Sequence, residues 1–331
     1  MVRAHAPGRV NLIGDHTDYT GGWVFPMAVD RGTTVELTTG GDVVELTSAD
    51  EPEPARVPLD VEDPTAVNPG WARYVAGVVA VVRPARGGAG TVRTTLPLGA
   101  GLSSSAALEV AVALALGFQG TALELALACQ RAEQLAWGTR TGIMDQLASA
   151  AGVAGSALLI DCTSLEVTPV ALPEGMEVVV ADSGQRRSVA TSAYAERRAQ
   201  CESAEAVVGP LRTASADDLP ALHDPVVRRR ARHVVTENAR VLDFAAALRA
   251  GDLAEAGRLM SQSHASLRDD FEVSTPALDA LVDRLAATSG VHGARLTGAG
   301  FGGCVVALAE PGSPAPGWRL QAAAGATVTS T

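Results

Sequence analysis

The segment that most limits how this chain can fold lies between Thr91 and Ala107. Thr91 to Leu96 reads as a strand and runs into Pro97-Leu98-Gly99-Ala100-Gly101-Leu102-Ser103-Ser104-Ser105, after which an Ala/Leu/Val-rich helix continues to about Gly117. Glycines at 99 and 101 let the backbone turn tightly and approach an anion closely. The amides beyond them converge on a helix N-terminus, where unpaired N–H groups and the macrodipole favour phosphate. A serine there can cap the helix or place its hydroxyl on Mg²⁺. The same letters also fit an ordinary Gly-rich turn with a Ser cap, and they are not the phosphate-loop pattern GxxxxGK[ST]. All 26 basic residues are arginine. Positive charge on a phosphate must therefore come from Arg, a metal or backbone amides, never from a lysine.

Around this segment the elements alternate between the two types. Arg9–Ile13, Val24–Val29 and Thr33–Thr38 read as strands, and Trp71 opens a helix with Val75, Val78, Val79 and Val82 at helical spacing. A helix is expected over Leu123–Trp137, then short strands at Leu158–Asp161, Val167–Leu172 and Val178–Asp182. Val189 to about Arg284 is mainly helical, with breaks near Gly209-Pro210 and Asp224-Pro225. Ala294–Thr297 and Cys304–Leu308 return to strand. Strands, then helices, then strands again predict an α+β fold. The length of 331 residues suggests two domains, which we divide into 1–174 and 175–331.

Composition narrows the function. A net charge of −11 without a dense basic run excludes nucleic-acid binding. Arg228, Arg229 and Arg230 form the densest basic cluster and read as a solvated helix face. The four cysteines (129, 162, 201 and 304) form no CxxC pair, which argues against zinc and disulfides and suits a reducing cytoplasm. The longest apolar stretch, Val110 to Phe118, is too short to span a bilayer, and the N-terminus shows no leader pattern. The expectation is a cytoplasmic, membrane-free monomer acting on small molecules.

Three further segments carry polar chemistry. Gly8-Arg9-Val10-Asn11-Leu12-Ile13-Gly14-Asp15-His16-Thr17-Asp18-Tyr19 surrounds one short strand with groups that can fix sugar hydroxyls; a solvated loop with an Asx turn has the same composition. Gly142-Ile143-Met144-Asp145-Gln146 puts Asp145 in the first turn of a helix. The dipole there favours a carboxylate able to accept a proton, or simply a helix-stabilising Asp. Gly298-Ala299-Gly300-Phe301-Gly302-Gly303-Cys304 is either a hairpin turn or a backbone wall beside a ligand.

Taken in order, these segments resemble the galactokinases of the GHMP kinase superfamily: the polar loop their sugar signature, the serine loop their phosphate motif, the last glycine run their third motif. Trp71-Ala72-Arg73-Tyr74-Val75, Leu158 to Cys162, Tyr194 to Cys201 and Ser263-His264 through Ser274 are similar as well. The resemblance implies a two-domain fold with the active site between the domains. It implies ATP-dependent phosphorylation of D-galactose at the C1 hydroxyl, giving galactose 1-phosphate and ADP. It makes Asp145 the catalytic base and Arg9 the stabiliser of transition-state charge. Asp15, His16, Thr17, Asp18, Gly142 and Tyr194 are then the sugar residues. Gly99, Ala100, Gly101, Leu102, Ser103, Ser104 and Ser105 surround the ATP phosphates, Trp71 lies near the adenine, and Ser105 and Glu133 bind Mg²⁺. Three departures stand out: Asp15 replaces the usual Glu, the tail after Leu308 is short, and the lead-in before Ala6 is brief. Asp15 leaves room for a related sugar such as N-acetylgalactosamine or arabinose. Some similar proteins bind sugar and ATP only as sensors; the intact Ser103–Ala106 run and Asp145 speak for turnover.

Overall fold

A computed structural model describes residues 1–97, 101–138, 140–185 and 190–330. The first half runs β1 (Val2–Asn11), β2 (Trp23–Val24), β3 (Pro26–Thr39), β4 (Val43–Ser48), β5 (Ala55–Pro58), α1 (Ala72–Val82) and β6 (Gly88–Thr94). It continues through α2 (Ser104–Ala115), α3 (Ala122–Trp137), α4 (Met144–Ala151), β7 (Ser156–Asp161) and β8 (Val167–Ala171). Then come β9 (Glu177–Asp182), α5 (Ala190–Val208), α6 (Pro225–Ala250), α7 (Leu253–Asp269) and α8 (Pro276–Ala286). The chain ends with β10 (Val291–Thr297), β11 (Cys304–Ala309), β12 (Trp318–Leu320) and β13 (Thr327–Ser330).

The strands form a six-stranded sheet in the order β13-β1-β3-β6-β4-β5, a four-stranded sheet β10-β11-β9-β12, and a small sheet β2-β7-β8. Among the described residues only β4 and β6 pair in parallel, as strands separated by α1 can. One apolar cluster packs the six-stranded sheet (Val35, Leu37, Leu46) under α1 to α4 through Val75, Val79, Val110 and Leu147. A second joins Val10, Leu12, Phe25 and Met27 to Val178, Val180, Phe244 and Met260, so the two halves share a core. A third lies between the four-stranded sheet and α5 to α8.

Local signals explain the helix ends. Thr121 and Glu124 make a reciprocal capping box at the start of α3, and Asp224 caps α6 with Pro225 in its first turn. Other expectations shift. The strands expected at Val24–Val29 and Thr33–Thr38 are largely one continuous strand, β3. Gly32 permits it, since a Cβ there would lie 2.4 Å from the Ala6 carbonyl oxygen, close to the register shift between Pro7 and Arg9. The cluster at 228–230 is not a solvated face throughout. Arg230 is 2% exposed and bonds to Glu272, Gln200 and the Asp270 carbonyl, because α6 packs against α5 and the end of α7. The short tail holds no helix among the described residues; it returns as β12 against β9 and β13 against β1.

Candidate active site

The polar loop after β1, the start of α4 and the glycine run after β10 meet at a cleft of about 410 Å³, and the serine loop is tied to it through the Ser103–Asp145 hydrogen bond. Its walls include Arg9, Asp15, His16 and Asp18 from the first half, Gly142 and Asp145 near α4, and Tyr194, Gly298 and Ala299 from the second.

Arg9 is the hub. It leaves β1 just past the register shift and is 5% exposed. Its Nε and Nη2 donate to the two oxygens of Asp145 at 2.8 and 3.0 Å, and its Nη1 donates to the Gly101 carbonyl at 2.6 Å. Its backbone N–H donates to Leu102. A single guanidinium fork thus fixes the carboxylate and the serine loop relative to each other. Further N–H groups on Nη1 and Nη2 remain to be shared with an incoming anion.

The serines divide their roles. Ser103 precedes α2 in left-handed conformation (φ 57°), but its side chain makes no cap; its hydroxyl donates to Asp145 Oδ2 at 2.5 Å. A capping serine needs extended backbone to turn its oxygen onto the first helical amides, and the left-handed backbone of Ser103 turns it away from them, so the helix has no serine cap there. Ser105 donates to Glu133 Oε1 at 3.3 Å, and Glu133 Oε2 accepts from Thr141 and Gln146. Ser104, Ser105, Tyr74 and Trp71 line a neighbouring hollow of about 140 Å³, with the Trp71 indole donating to Glu53. Gly99 and Ala100 lie outside the described residues; Gly101 and Leu102 connect to Arg9 as above.

Burial and Asp145 push the Glu133 carboxyl up, and burial beside Glu133 pushes Glu109 well above the usual range. Among the described residues its hydrogen-bond donors are the neutral Ser105, Thr141 and Gln146, so a hard cation would offset the charge of this carboxylate. Ser105 and Glu133 fit Mg²⁺, which takes one or two protein oxygens and completes its shell with phosphates and water. Among the described residues, no three His, Cys, Asp or Glu side chains form a self-sufficient metal cage.

The residues expected to hold the sugar separate. Asp18 lines the cleft against Gly142, whose Cα has room for nothing more: a Cβ would fall 1.6 Å from Asp18 Oδ2. Burial, then repulsion from Asp145, raises Asp18 to about 7. His16 has a left-handed backbone (φ 66°) and is held neutral by burial, its pKa lowered to about 3. Its Nε2 therefore donates to the Ala299 carbonyl, which leaves Nδ1 to accept from Tyr19. Tyr194 stands 5.6 Å from His16 and 5.3 Å from Tyr19, centroid to centroid. Thr17 is fully buried behind the loop, its hydroxyl shared between the Gly14 and Trp23 carbonyls, and it holds the turn instead of lining the cleft. Asp15 lines the cleft but turns its oxygens into the fold: Oδ1 accepts from the Gly298 amide at 2.8 Å, and Oδ2 stands 2.5 Å from Arg295 Nη2 without hydrogen-bond alignment. The glycine run is thus both the β10–β11 connection and a backbone wall of the cleft.

Sequence reasoning missed the supports. Arg295 is fully buried, also donates to the Leu12 carbonyl and sits 4.0 Å from Glu237. Glu237 accepts from the Gly14 amide, Asn238 from the Trp23 amide, and His233, neutral with a pKa of about 4, donates to the Asp15 carbonyl. The visible signal was polar residues 233 and 237, one turn apart on the same helix as apolar Val234 and Val241.

Residues 2–39 match the galactokinase galactose-binding signature, 73–153 the GHMP kinases N terminal domain and 244–318 the GHMP kinases C terminal region. The chain is 47% identical to the galactokinase of Roseiflexus sp. (strain RS-1), over 94% of this chain and 84% of that one. It is 45% identical to human galactokinase, over 98% and 88%. The crystal structure of Lactococcus lactis galactokinase complexed with galactose superposes with a TM-score of 0.89 at 32% identity, covering 98% of this chain and 95% of that one. The Methanococcus jannaschii mevalonate kinase shares the fold alone, with a TM-score of 0.69 at 18% identity.

Proposed function

The chain belongs to the galactokinase family of GHMP kinases, and from that premise we propose that it transfers the γ-phosphoryl group of ATP to the C1 hydroxyl of D-galactose. The observation that carries the reading is the fixed triangle of Arg9, Asp145 and Ser103 at the cleft, between the sugar loop and the serine loop. Phosphoryl transfer needs mainly positioning and charge stabilisation, and this triangle provides both.

Asp145 takes the proton of the attacking hydroxyl. Its carboxylate is oriented by Arg9 and Ser103, yet keeps 31% of its side chain exposed to the cleft. Arg9, tied to the Gly101 carbonyl, lies where charge grows on the transferred group. Asp18, His16, Gly142 and Tyr194 hold the sugar, Asp15 positions the loop that carries them, and Ser103 to Ser105 with Gly101 and Leu102 hold the phosphates. Trp71 borders the hollow we assign to the adenine. Mg²⁺ would be held by Ser105 and Glu133 and would neutralise phosphate charge when bound.

The division at residues 174 and 175 remains our proposal. It is supported by the separate packing of the six-stranded sheet with α1 to α4 and of the four-stranded sheet with α5 to α8. A cytoplasmic location is proposed with it, supported by the wide spacing of the four cysteines along the sequence, and a monomer is proposed alongside. No helix among the described residues is long and apolar enough to cross a membrane. A coupled ADP-release assay over a panel of monosaccharides tests the activity: galactose should be the best substrate, and no sugar-dependent ADP release would refute the reading.

A further inference from the structure

Glu109 lies in the middle of α2, fully buried, and belongs to none of the sugar, nucleotide or metal motifs. Its Oε2 accepts from the Gln146 amide at 3.2 Å, and its Oε1 has no partner. The same Gln146 nitrogen donates to Glu133 Oε2 at 3.0 Å. Gln146 is 1% exposed and belongs to α4, directly after Asp145. One carboxamide therefore spans two carboxyls from two other helices, one N–H to each.

An interior position between helices ordinarily holds an apolar side chain, and a buried carboxyl costs stability unless it is fully bonded. The arrangement makes sense through the amide. A carboxamide can turn over and exchange its oxygen for its nitrogen. An acceptor at Glu109 rewards only the orientation that aims N–H toward Glu133. With Oε2 of Glu133 taken by Gln146 and Thr141, its Oε1 is left facing Ser105.

We propose that Glu109 is a positioning residue, which through Gln146 holds Glu133 with one oxygen turned toward Ser105 and so sets the affinity of the divalent cation site. The inference rests on the metal reading of Ser105 and Glu133. Partners one bond removed from a ligand typically change metal affinity by about 10- to 100-fold.

The test uses Mn²⁺ as the probe, titrated by electron paramagnetic resonance into the full-length protein with β,γ-methylene-ATP, so that no turnover is involved. Glu109→Met should weaken Mn²⁺ binding by about 10-fold or more, and Glu109→Gln, which keeps an acceptor, should stay within about threefold of wild type. Tm is measured alongside. A merely structural role would lower the Tm of Glu109→Met and leave Mn²⁺ affinity alone, which would overturn the proposal. Gln146→Leu removes the bridge itself and decides the matter should Glu109→Met not fold: it too should weaken Mn²⁺, and unchanged affinity would overturn the inference. Glu133→Gln separates the two layers. If it weakens Mn²⁺ while the Glu109 and Gln146 variants do not, the positioning role falls and the metal site stands. If all three bind as wild type, the metal reading fails and the inference with it.

Discussion

Replacing Asp145 by Asn preserves the shape of the site and removes its proton acceptor. The carboxylate now takes three donors: Arg9 Nε at 2.8 Å, Arg9 Nη2 at 3.0 Å and the Ser103 hydroxyl at 2.5 Å. An amide has one acceptor oxygen, so either orientation sets an N–H against Arg9. The less costly one keeps oxygen toward Nη2 and Ser103 and gives up the bond to Nε. Arg9 retains the Gly101 carbonyl, so the loss of one charge-assisted bond should cost about 1–3 kcal/mol of stability. Catalysis should suffer more. General-base assistance contributes about 10²–10⁴-fold, or about 2.7–5.4 kcal/mol of barrier at 1.36 kcal/mol per decade. The assay is kcat by coupled ADP release at saturating galactose and ATP, with galactose affinity by calorimetry and Tm as controls. The variant should be folded, bind galactose, and turn over at most about one-hundredth as fast. A folded Asn variant keeping more than about half of wild-type kcat would refute Asp145 as the base, because no general-base contribution is that small.

Three further outcomes follow from the cleft. Gly142→Ala would drive a Cβ to 1.6 Å from Asp18 Oδ2, so the Asp18 carboxyl must leave its place. KM for galactose should rise about 10-fold, a loss of about 1.4 kcal/mol, with KM for ATP unchanged; an unchanged galactose KM would remove Asp18 from the sugar site. Asp18 sits at about 7 against an ordinary 3.8, so between those values the folded protein keeps a proton that the unfolded chain has lost. Wild-type stability should therefore fall as pH rises through that window, and the Tm advantage of Asp18→Asn should grow there and level off above pH 7; parallel Tm–pH curves would contradict the burial of this acid. Asp15→Glu lengthens a side chain whose oxygens are committed to Gly298 and Arg295, pushing its carboxylate toward the cleft. The kcat/KM ratio of galactose over 6-deoxygalactose should rise in the variant, and an unchanged or lower ratio would show that Asp15 does not set specificity.

Where sequence and structure part company, the reason is distance along the chain. The serine loop, Asp145 and the polar loop after β1 were legible as candidates because each is local: a turn, a helix start, a short run of polar residue types. The pairing of Arg9 with Asp145 spans 136 positions, and that of Asp15 with Arg295 spans 280, and no local pattern encodes either. The serine run read as able to cap a helix or hold Mg²⁺; only the approach of α4 offers Ser103 a carboxylate. β3 read as two strands because Asp30-Arg31-Gly32 looks like a break, whereas the glycine serves the close approach of Ala6. β13 carries exposed residues throughout, so nothing in its pattern announced that it would add an edge to β1. Glu109 was hidden by its surroundings, a lone acid in an Ala/Leu/Val helix that burial alone singles out.

The most direct test of the central claim identifies the product. The full-length protein is incubated with galactose, ATP and Mg²⁺, and the sugar phosphate is analysed by ³¹P and ¹H NMR. Phosphorus coupled to the anomeric proton, with ADP formed in equal amount, is the result expected from the proposed role of Asp145 as base on the C1 hydroxyl. Phosphate on any other carbon, or ADP and inorganic phosphate without a sugar phosphate, would contradict it.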